Sequence, residues 1–177
     1  ATIAIEDKNF YKNDGFSIAG YVRGLIIDPI LRRRVTGGST ITQQLVKNVL
    51  LSSERTLPRK IKALVLSIQV DKRYSKDEIL EMYLNDVPYG GTAIGVEAAA
   101  ETYFGKKVKE LTLSESALLA GLPQSPSLYS PFSGNKYYIG RSIQVLKTLR
   151  EQDYITKEQE AKANEEIKKM KFTQRDS

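Results

Sequence analysis

The stretch Gly37-Gly38-Ser39-Thr40-Ile41-Thr42-Gln43-Gln44-Leu45-Val46-Lys47-Asn48 decides the fold class. Glycines and a serine precede a run whose apolar residues recur at helical spacing, which predicts a helix over residues 39–51. One face of that helix carries polar side chains at i, i+3, i+4 and i+7, namely Thr40, Gln43, Gln44 and Lys47. The opposite face carries an apolar stripe, predicted to be buried, namely Ile41, Leu45 and Val49.

The polar face of this helix has two interpretations. Solvated faces are commonly built from glutamate and lysine, whereas this one carries a threonine, two glutamines and a lysine. Such side chains suit hydrogen bonding to a hydroxyl-rich ligand. The free backbone amides at the helix N-terminus favour an anion. The residue chemistry leaves a ligand-binding face and a solvated face equally open.

The rest of the chain also has helical signals. Capping boxes begin at Ser75, Thr112 and Thr156, and apolar periodicity predicts further helices at 17–27, 57–73, 92–104 and 136–152. No segment alternates convincingly as a strand. We therefore expect one mainly α domain over residues 1–177, with 156–177 as a charged C-terminal helix or connector. The helix ending near Asp153 lacks the glycine that usually stands there.

Composition excludes several kinds of chemistry. The 177 residues include no cysteine and no histidine, which rules out disulfides, thiolate nucleophiles and imidazole bases or ligands. The net charge of +6 favours a polyanionic partner such as a diphosphate, a nucleic acid or an anionic membrane. The sequence begins abruptly in an apolar segment. We expect a domain cut from a longer chain, without its upstream anchor.

A cationic segment follows the helix predicted at residues 39–51. It contributes Arg55, Arg59 and Lys60 at the start of the helix predicted at 57–73. The predicted buried stripe of that helix is Leu57, Ile61, Leu64, Val65 and Ile68. Ala63 lies outside this stripe, one turn after Arg59, where a carboxylate would pair naturally with that arginine.

Two further segments have alternative interpretations. Glu6 and Asp7 follow an apolar run, so either could be a general base with a raised pKa, although a helix-capping pair is the more usual case. Residues 16–35 combine an apolar surface with a cluster of arginines. This composition favours an interfacial segment on anionic lipid over a buried helix with a basic end.

Together these segments resemble the glycosyltransferase domain of class A penicillin-binding proteins and monofunctional peptidoglycan transglycosylases. Five motifs occur in family order over residues 3–165. They are Glu6-Asp7 through Phe10 to Gly15, Gly38-Ser39-Thr40 through Gln43-Gln44 to Lys47-Asn48, Arg59-Lys60, Glu78 through Tyr83 and Asn85 to Lys106, and Ala120 through Pro123 to Pro131. Five ordered motifs are far more specific than any one of them.

The resemblance implies a lysozyme-like, mainly α fold in two lobes that polymerises lipid II, the undecaprenyl-diphosphate-linked disaccharide-pentapeptide. Glu6 would be the base that deprotonates the acceptor 4-hydroxyl, which attacks the anomeric carbon with inversion. Lys47, Arg55 and Arg59 would hold the leaving diphosphate. The full set of expected substrate-binding residues is Asp7, Phe10, Ser39, Thr40, Gln43, Gln44, Lys47, Asn48, Arg55, Arg59 and Lys60.

The chain departs from the family pattern at two positions. Asn13 stands where the first motif usually has histidine, and Ala63 stands where the third motif has its second catalytic glutamate. The loss of that acid predicts impaired turnover. The alternative is a catalytically silent module that binds lipid II or glycan. A glycan hydrolase is disfavoured because cleaving neutral sugars requires no cationic cradle.

The resemblance also predicts the surroundings of the domain. Expected partners are lipid II, the growing glycan strand, the membrane through residues 16–35 and a downstream transpeptidase domain, with no nucleic acid. The expected location is the extracytoplasmic face of the bacterial cytoplasmic membrane. No cofactor is certain, and a divalent cation, Mg²⁺ or Mn²⁺, is the only candidate.

Overall fold

The computed structural model describes residues 1–22, 38–50 and 57–173. Within them, the helices are α1 Thr2–Glu6, α2 Ile18–Val22, α3 Ile41–Leu50, α4 Leu57–Arg73, α5 Lys76–Asp86, α6 Val96–Phe104, α7 Leu113–Gly121, α8 Pro126–Tyr129, α9 Tyr137–Glu151 and α10 Lys157–Lys168. A short 3₁₀ helix spans Val108–Glu110. None of the described helices is long and apolar enough to cross a membrane.

These helices confirm the mainly α prediction. Four of the five helices predicted from periodicity are present with ends shifted by a few residues, and the fifth, 17–27, is described only as far as Val22. All three capping boxes form; in the first, the Ser75 amide donates to Glu78 Oε2 at 2.8 Å. In the described part of the chain, β-structure is limited to an isolated antiparallel bridge between Pro88 and Ile94.

The described chain divides into two compact units. The first, Glu6–Asp86, packs α3 against both α4 and α5. Apolar side chains from these helices and from the preceding loop fill its core, namely Phe10, Ile41, Leu45, Val46, Ile79 and Tyr83. Burying one face of each helix stabilises this arrangement by roughly 25 cal/mol per Å² of apolar surface removed from water.

Two predicted apolar stripes are partly wrong in this unit. Val49, expected in the core, is 54% exposed, and Val46 is buried instead. On α4, Ile61 and Val65 are exposed, whereas Ala63 and Ser67 are buried. A Cβ atom on Gly15 would lie 2.6 Å from the Ser67 carbonyl oxygen, so backbone approaches this side of α4 closely. A small side chain suits the position of Ser67, and the larger apolar side chains of α4 occupy other faces.

The second unit comprises Ala1–Ile5 and Val87–Ser177. Helix α9 packs against α7 and α10, around buried Leu118, Val145 and Leu146. The charged helix α10 has few apolar residues, yet it buries Ala163 and Ile167. Two anchors on one face are therefore enough to fix this helix in the unit.

Helix α9 ends in an unusual conformation at Asp153. This residue has φ 60°, a left-handed conformation that usually requires glycine. The Asp153 amide donates to the Arg150 carbonyl at 3.0 Å, and the Tyr154 amide donates to the Leu149 carbonyl at 2.9 Å. This pair of bonds is a Schellman motif, and the aspartate side chain adds strain to it.

Candidate active site

The Glu6 carboxylate is held by a residue of α3. Gln44 Nε2 donates to Glu6 Oε2 at 3.0 Å, and the Tyr83 hydroxyl of α5 donates to Gln44 Oε1 at 3.1 Å. Gln44 Nε2 also lies 3.4 Å from the Ser39 carbonyl oxygen. Glu6, Gln44 and Tyr83 therefore form one hydrogen-bonded chain inside the Glu6–Asp86 unit.

The side chains of Thr40 and Gln43 cap the N-terminus of α3. The Thr40 amide donates to Gln43 Oε1 at 2.8 Å, and the Gln43 amide donates to Thr40 Oγ1 at 3.1 Å, which is a capping box. Thr40 Oγ1 also donates to the Gly15 carbonyl at 2.9 Å. Both side chains are buried and serve the helix end. Direct contact of Thr40 and Gln43 with a ligand stays a prediction.

Asp7 takes part in the same cap. The Ile41 amide, the first of α3, donates to Asp7 Oδ2 at 3.1 Å, and Asn13 Nδ2 lies 3.1 and 3.0 Å from the two carboxylate oxygens. Lys76 Nζ donates to the Asn13 carbonyl at 2.6 Å. Burial raises the pKa of Asp7, although these hydrogen bonds and the Lys76 charge oppose the shift. Of the two adjacent acids, Asp7 is the capping residue.

Lys47 of α3 lies near two cations of α4, Arg59 and Lys60. The Lys47 ammonium donates to Ser39 Oγ at 3.0 Å. Partial desolvation, followed by repulsion from Arg59 and Lys60, lowers the pKa of Lys47. The structure therefore brings Lys47, Arg59 and Lys60 into one cluster, here called the cationic cluster. Arg55 lies outside the described residues.

Ala63 lies one turn beyond Arg59 on α4. It is buried, with 5% of its surface exposed, and its carbonyl accepts a hydrogen bond from Ser67 Oγ at 2.6 Å. Its methyl side chain can neither carry charge nor accept a hydrogen bond. The helix face shared with the cationic cluster therefore has no acid at this position.

A pocket of about 370 Å³ opens beside Glu6. Most of the residues that line it have polar side chains; the lining comprises Glu6, Asp7, Lys8, Asn9, Asn13, Ser17, Ala19, Gly20, Gly38, Ser39 and Thr40. Among the expected ligand residues, Asp7, Ser39 and Thr40 belong to this lining. Phe10 is completely buried, with Lys76 Nζ 5.1 Å from the centre of its ring, and Asn48 is exposed at the other end of α3.

Sequence reasoning did not identify two contributors to this site. Tyr83 follows Ile79 at helical spacing and therefore resembles an ordinary core residue. Asn13 is recognisable only as a departure from a family motif. Both act through contacts that form on folding, and Tyr83 reaches a partner 39 positions away. A buried tyrosine hydroxyl, which needs a partner, is the only signal in the sequence.

Known proteins provide independent evidence on the family. The family described as Transglycosylase matches residues 1–150. This chain belongs to the transglycosylase family. Penicillin-binding protein 1A of Aquifex aeolicus is 48% identical over 159 residues, covering 90% of this chain and 22% of that protein. Penicillin-binding protein 1A of Escherichia coli is 45% identical over 159 residues, covering 90% and 19%.

A solved structure supports the same assignment for this transglycosylase chain. The crystal structure of penicillin-binding protein 1A from Haemophilus influenzae matches with a TM-score of 0.51 and 35% identity. The match covers 71% of this chain and 16% of that one. The expected lysozyme-like, mainly α class is thereby confirmed. The chain spans about a fifth of the length of these curated relatives.

A divalent cation requires carboxylate or carbonyl oxygens gathered around it. Across residues 1–22, 38–50 and 57–173, no group of three or more His, Cys, Asp or Glu side chains could hold a metal ion. Asp7, the acid nearest to Glu6 in sequence, is already bonded to the Ile41 amide and to Asn13. Mg²⁺ or Mn²⁺ as a candidate cofactor therefore stays a prediction.

Proposed function

We propose that this chain is a peptidoglycan glycosyltransferase module that polymerises lipid II. One observation carries the proposal. A carboxylate that borders a pocket, Glu6, is hydrogen-bonded to α3 one turn before the lysine of the cationic cluster. This arrangement combines a proton acceptor with a site for a polyanionic leaving group, which is what glycosyl transfer from a lipid diphosphate requires.

Glu6 would act as the general base. Its carboxylate would accept the proton of the acceptor sugar's 4-hydroxyl, and that oxygen would attack the anomeric carbon of the growing chain. The bond between this carbon and the diphosphate oxygen would break with inversion, and the electron pair would leave with undecaprenyl diphosphate. The chain has no histidine, so a carboxylate is the natural base.

The cationic cluster would stabilise the leaving diphosphate. Lys47, Arg59 and Lys60 repel one another in the absence of an anion, and this repulsion helps to lower the pKa of Lys47. A diphosphate between them would relieve the repulsion and gain charge-assisted hydrogen bonds. We assign Arg55 to the same cluster on the family motif alone.

The family assignment suggests the ligands, the membrane contact, the neighbouring domain and the location of this module. We assign the growing glycan strand and lipid II as ligands, the membrane as the surface contacted by residues 16–35, and a transpeptidase as a downstream domain. The exposed Ile18 lies in the described part of this segment and suits a lipid surface. The location would be the extracytoplasmic face of the cytoplasmic membrane.

Ala63 favours a second candidate function. Without an acid at position 63, the module could bind lipid II or glycan and turn over slowly or not at all. The buried alanine at this position is the specific observation behind this alternative. The two functions share the same ligand and differ only in chemistry.

A lipid II polymerisation assay distinguishes the two functions. We expect slow polymerisation by the chain itself and faster polymerisation by Ala63→Glu, with Ala63→Gln as the uncharged control of the same size. Polymer that forms only with Ala63→Glu identifies an impaired enzyme. If neither the chain nor Ala63→Glu makes polymer while both bind lipid II, the binding module is correct. Absence of both binding and polymer rejects both functions.

A further inference from the structure

The buried tyrosine behind Gln44 is not explained by packing alone. Tyr83 is fully buried in the Glu6–Asp86 unit, and its hydroxyl is directed at the Gln44 amide, 3.1 Å from Oε1. Phenylalanine would fill the same space without a polar group. We propose that Tyr83, acting through Gln44, is a positioning residue that keeps Glu6 ionised and correctly oriented, an inference that rests on the function proposed above.

The surroundings of Gln44 determine which end of its amide faces Glu6. Its nitrogen lies 3.0 Å from a carboxylate oxygen of Glu6 and 3.4 Å from the Ser39 carbonyl oxygen. Both of these groups accept hydrogen bonds when Glu6 is ionised. The amide oxygen, in contrast, accepts a hydrogen bond from the Tyr83 hydroxyl. A flipped amide would place an oxygen against two acceptors, so these acceptors and the tyrosine donor together hold the productive orientation.

This orientation favours the charged form of Glu6. A donor at 3.0 Å stabilises a carboxylate more than a carboxylic acid, which keeps the base ready to accept a proton. The same bond also fixes the direction of the carboxylate. Gln44 is itself held in place because its helix is anchored by the buried Leu45 and Val46. Through Gln44, Tyr83 therefore controls both the charge and the direction of Glu6.

Tyr83→Phe separates this role from core packing. The ring remains, but the Gln44 amide oxygen loses its donor, so the amide is held less firmly in the orientation that donates to Glu6. Tyr103→Phe is a matched control. Tyr103 is equally buried, and its hydroxyl donates to the Tyr89 carbonyl at 2.7 Å in the second unit. Each variant removes a buried hydroxyl and its hydrogen bonds, which for Tyr103 include a 3.2 Å contact with Ser130 Oγ, and only Tyr83→Phe should affect Glu6.

The direct test is a carboxyl titration that requires no turnover. With ¹³C-labelled glutamate, the Glu6 carboxyl resonance is assigned by its disappearance in Glu6→Gln and followed against pH. We expect the midpoint to rise by about one pH unit in Tyr83→Phe and in Gln44→Ala, the size expected for losing a charge-assisted bond. Tyr103→Phe should leave the midpoint unchanged.

The results decide the proposal whether or not the chain is an enzyme. An unchanged midpoint in Tyr83→Phe overturns it, even if Gln44→Ala shifts, because the tyrosine would then serve only the core. An equal shift in Tyr103→Phe overturns it as well. If the chain or Ala63→Glu polymerises lipid II, Tyr83→Phe in that background should also move the acidic limb of the pH–rate profile upward and lower kcat with little change in KM.

Discussion

The candidate active site in the Glu6–Asp86 unit has two regions that differ in how their polar groups are paired. Around the N-terminus of α3, acids, amides and hydroxyls are matched to one another, as in the Thr40–Gln43 capping box and the bond between Asp7 and the Ile41 amide. One or two turns later, Lys47 lies near other cations, with alanine at position 63. The first region is largely paired within the chain, whereas the second gathers positive charge, which suits an anionic ligand.

This contrast assigns different roles to the two regions. Donors and acceptors that are paired in the free protein do not have to reorganise during a reaction, which suits a base that must keep its direction. Cations that repel one another gain most from a multiply charged anion. Substitutions near Glu6 should therefore affect chemistry, and substitutions near Lys47 should affect binding of the diphosphate as well.

The largest expected effect is at the base itself. In the Ala63→Glu background, Glu6→Gln should lower the rate of lipid II polymerisation by roughly 10²- to 10⁴-fold, the usual contribution of a general base. The amide keeps the shape of the side chain but cannot accept the proton. Affinity for lipid II, measured by direct binding, should change little. A variant that retains more than a tenth of the rate would show that another group is the base.

Removing a cation should have a smaller effect that extends to binding. In the same background, Lys47→Ala should lower polymerisation on the order of a hundredfold, because one donor to the leaving diphosphate is lost. It should also weaken lipid II binding. Lys62→Ala removes an equal charge from an exposed position on α4 and is the control. Similar losses in both variants would mean that only overall charge matters.

Restoring the acid should change the titration of Lys47. Partial desolvation, followed by repulsion from Arg59 and Lys60, holds the pKa of Lys47 below its ordinary value of 10.5 in the folded chain. Between the two pKa values the unfolded chain binds more protons, so stability increases as pH rises through that window. Ala63→Glu should raise the Lys47 midpoint, measured by NMR of labelled lysine, and flatten this dependence. Ala63→Gln should leave the midpoint unchanged, and an equal rise there would exclude charge as the cause.

The smallest expected effects are on the free energy of unfolding, which should change in opposite directions when Thr40 and Thr42 are replaced. Thr40→Val removes a helix cap and should lower the free energy of unfolding by about 1 kcal/mol. Thr42 is also buried, but its Oγ1 has no hydrogen-bond partner among the described residues. Thr42→Val should therefore raise the free energy of unfolding by up to about 1 kcal/mol. Chemical denaturation measures both, and a loss in Thr42→Val would reveal a hidden partner.

The sequence predicts local structure better than it predicts this site. Capping boxes act over three or four residues, so the starts of α5, α7 and α10 could be predicted from short motifs. The buried face of α4 could not, because it depends on the close approach of Gly15 to Ser67. Helical spacing alone placed Ile61 and Val65 in the core, and both are exposed.

The site shows the same limit. Spacing predicts Thr40, Gln43, Gln44 and Lys47 along one side of a helix, but it cannot tell which of them serve the helix end. Glu6 and the cationic residues were identified through ordered family motifs. Tyr83 was not, because its contact with Gln44 depends on how α5 packs against α3. Tertiary contacts decide which polar side chains remain for a ligand.

The bond between Asp7 and the Ile41 amide has a consequence for motion. Asp7 directly follows Glu6, so any local opening that releases the first turn of α3 also releases the backbone that carries the base. Hydrogen exchange at the Ile41 amide would then report how often Glu6 leaves its working position. A ligand that closes the pocket beside Glu6 should slow that exchange, even when it touches neither Asp7 nor Ile41.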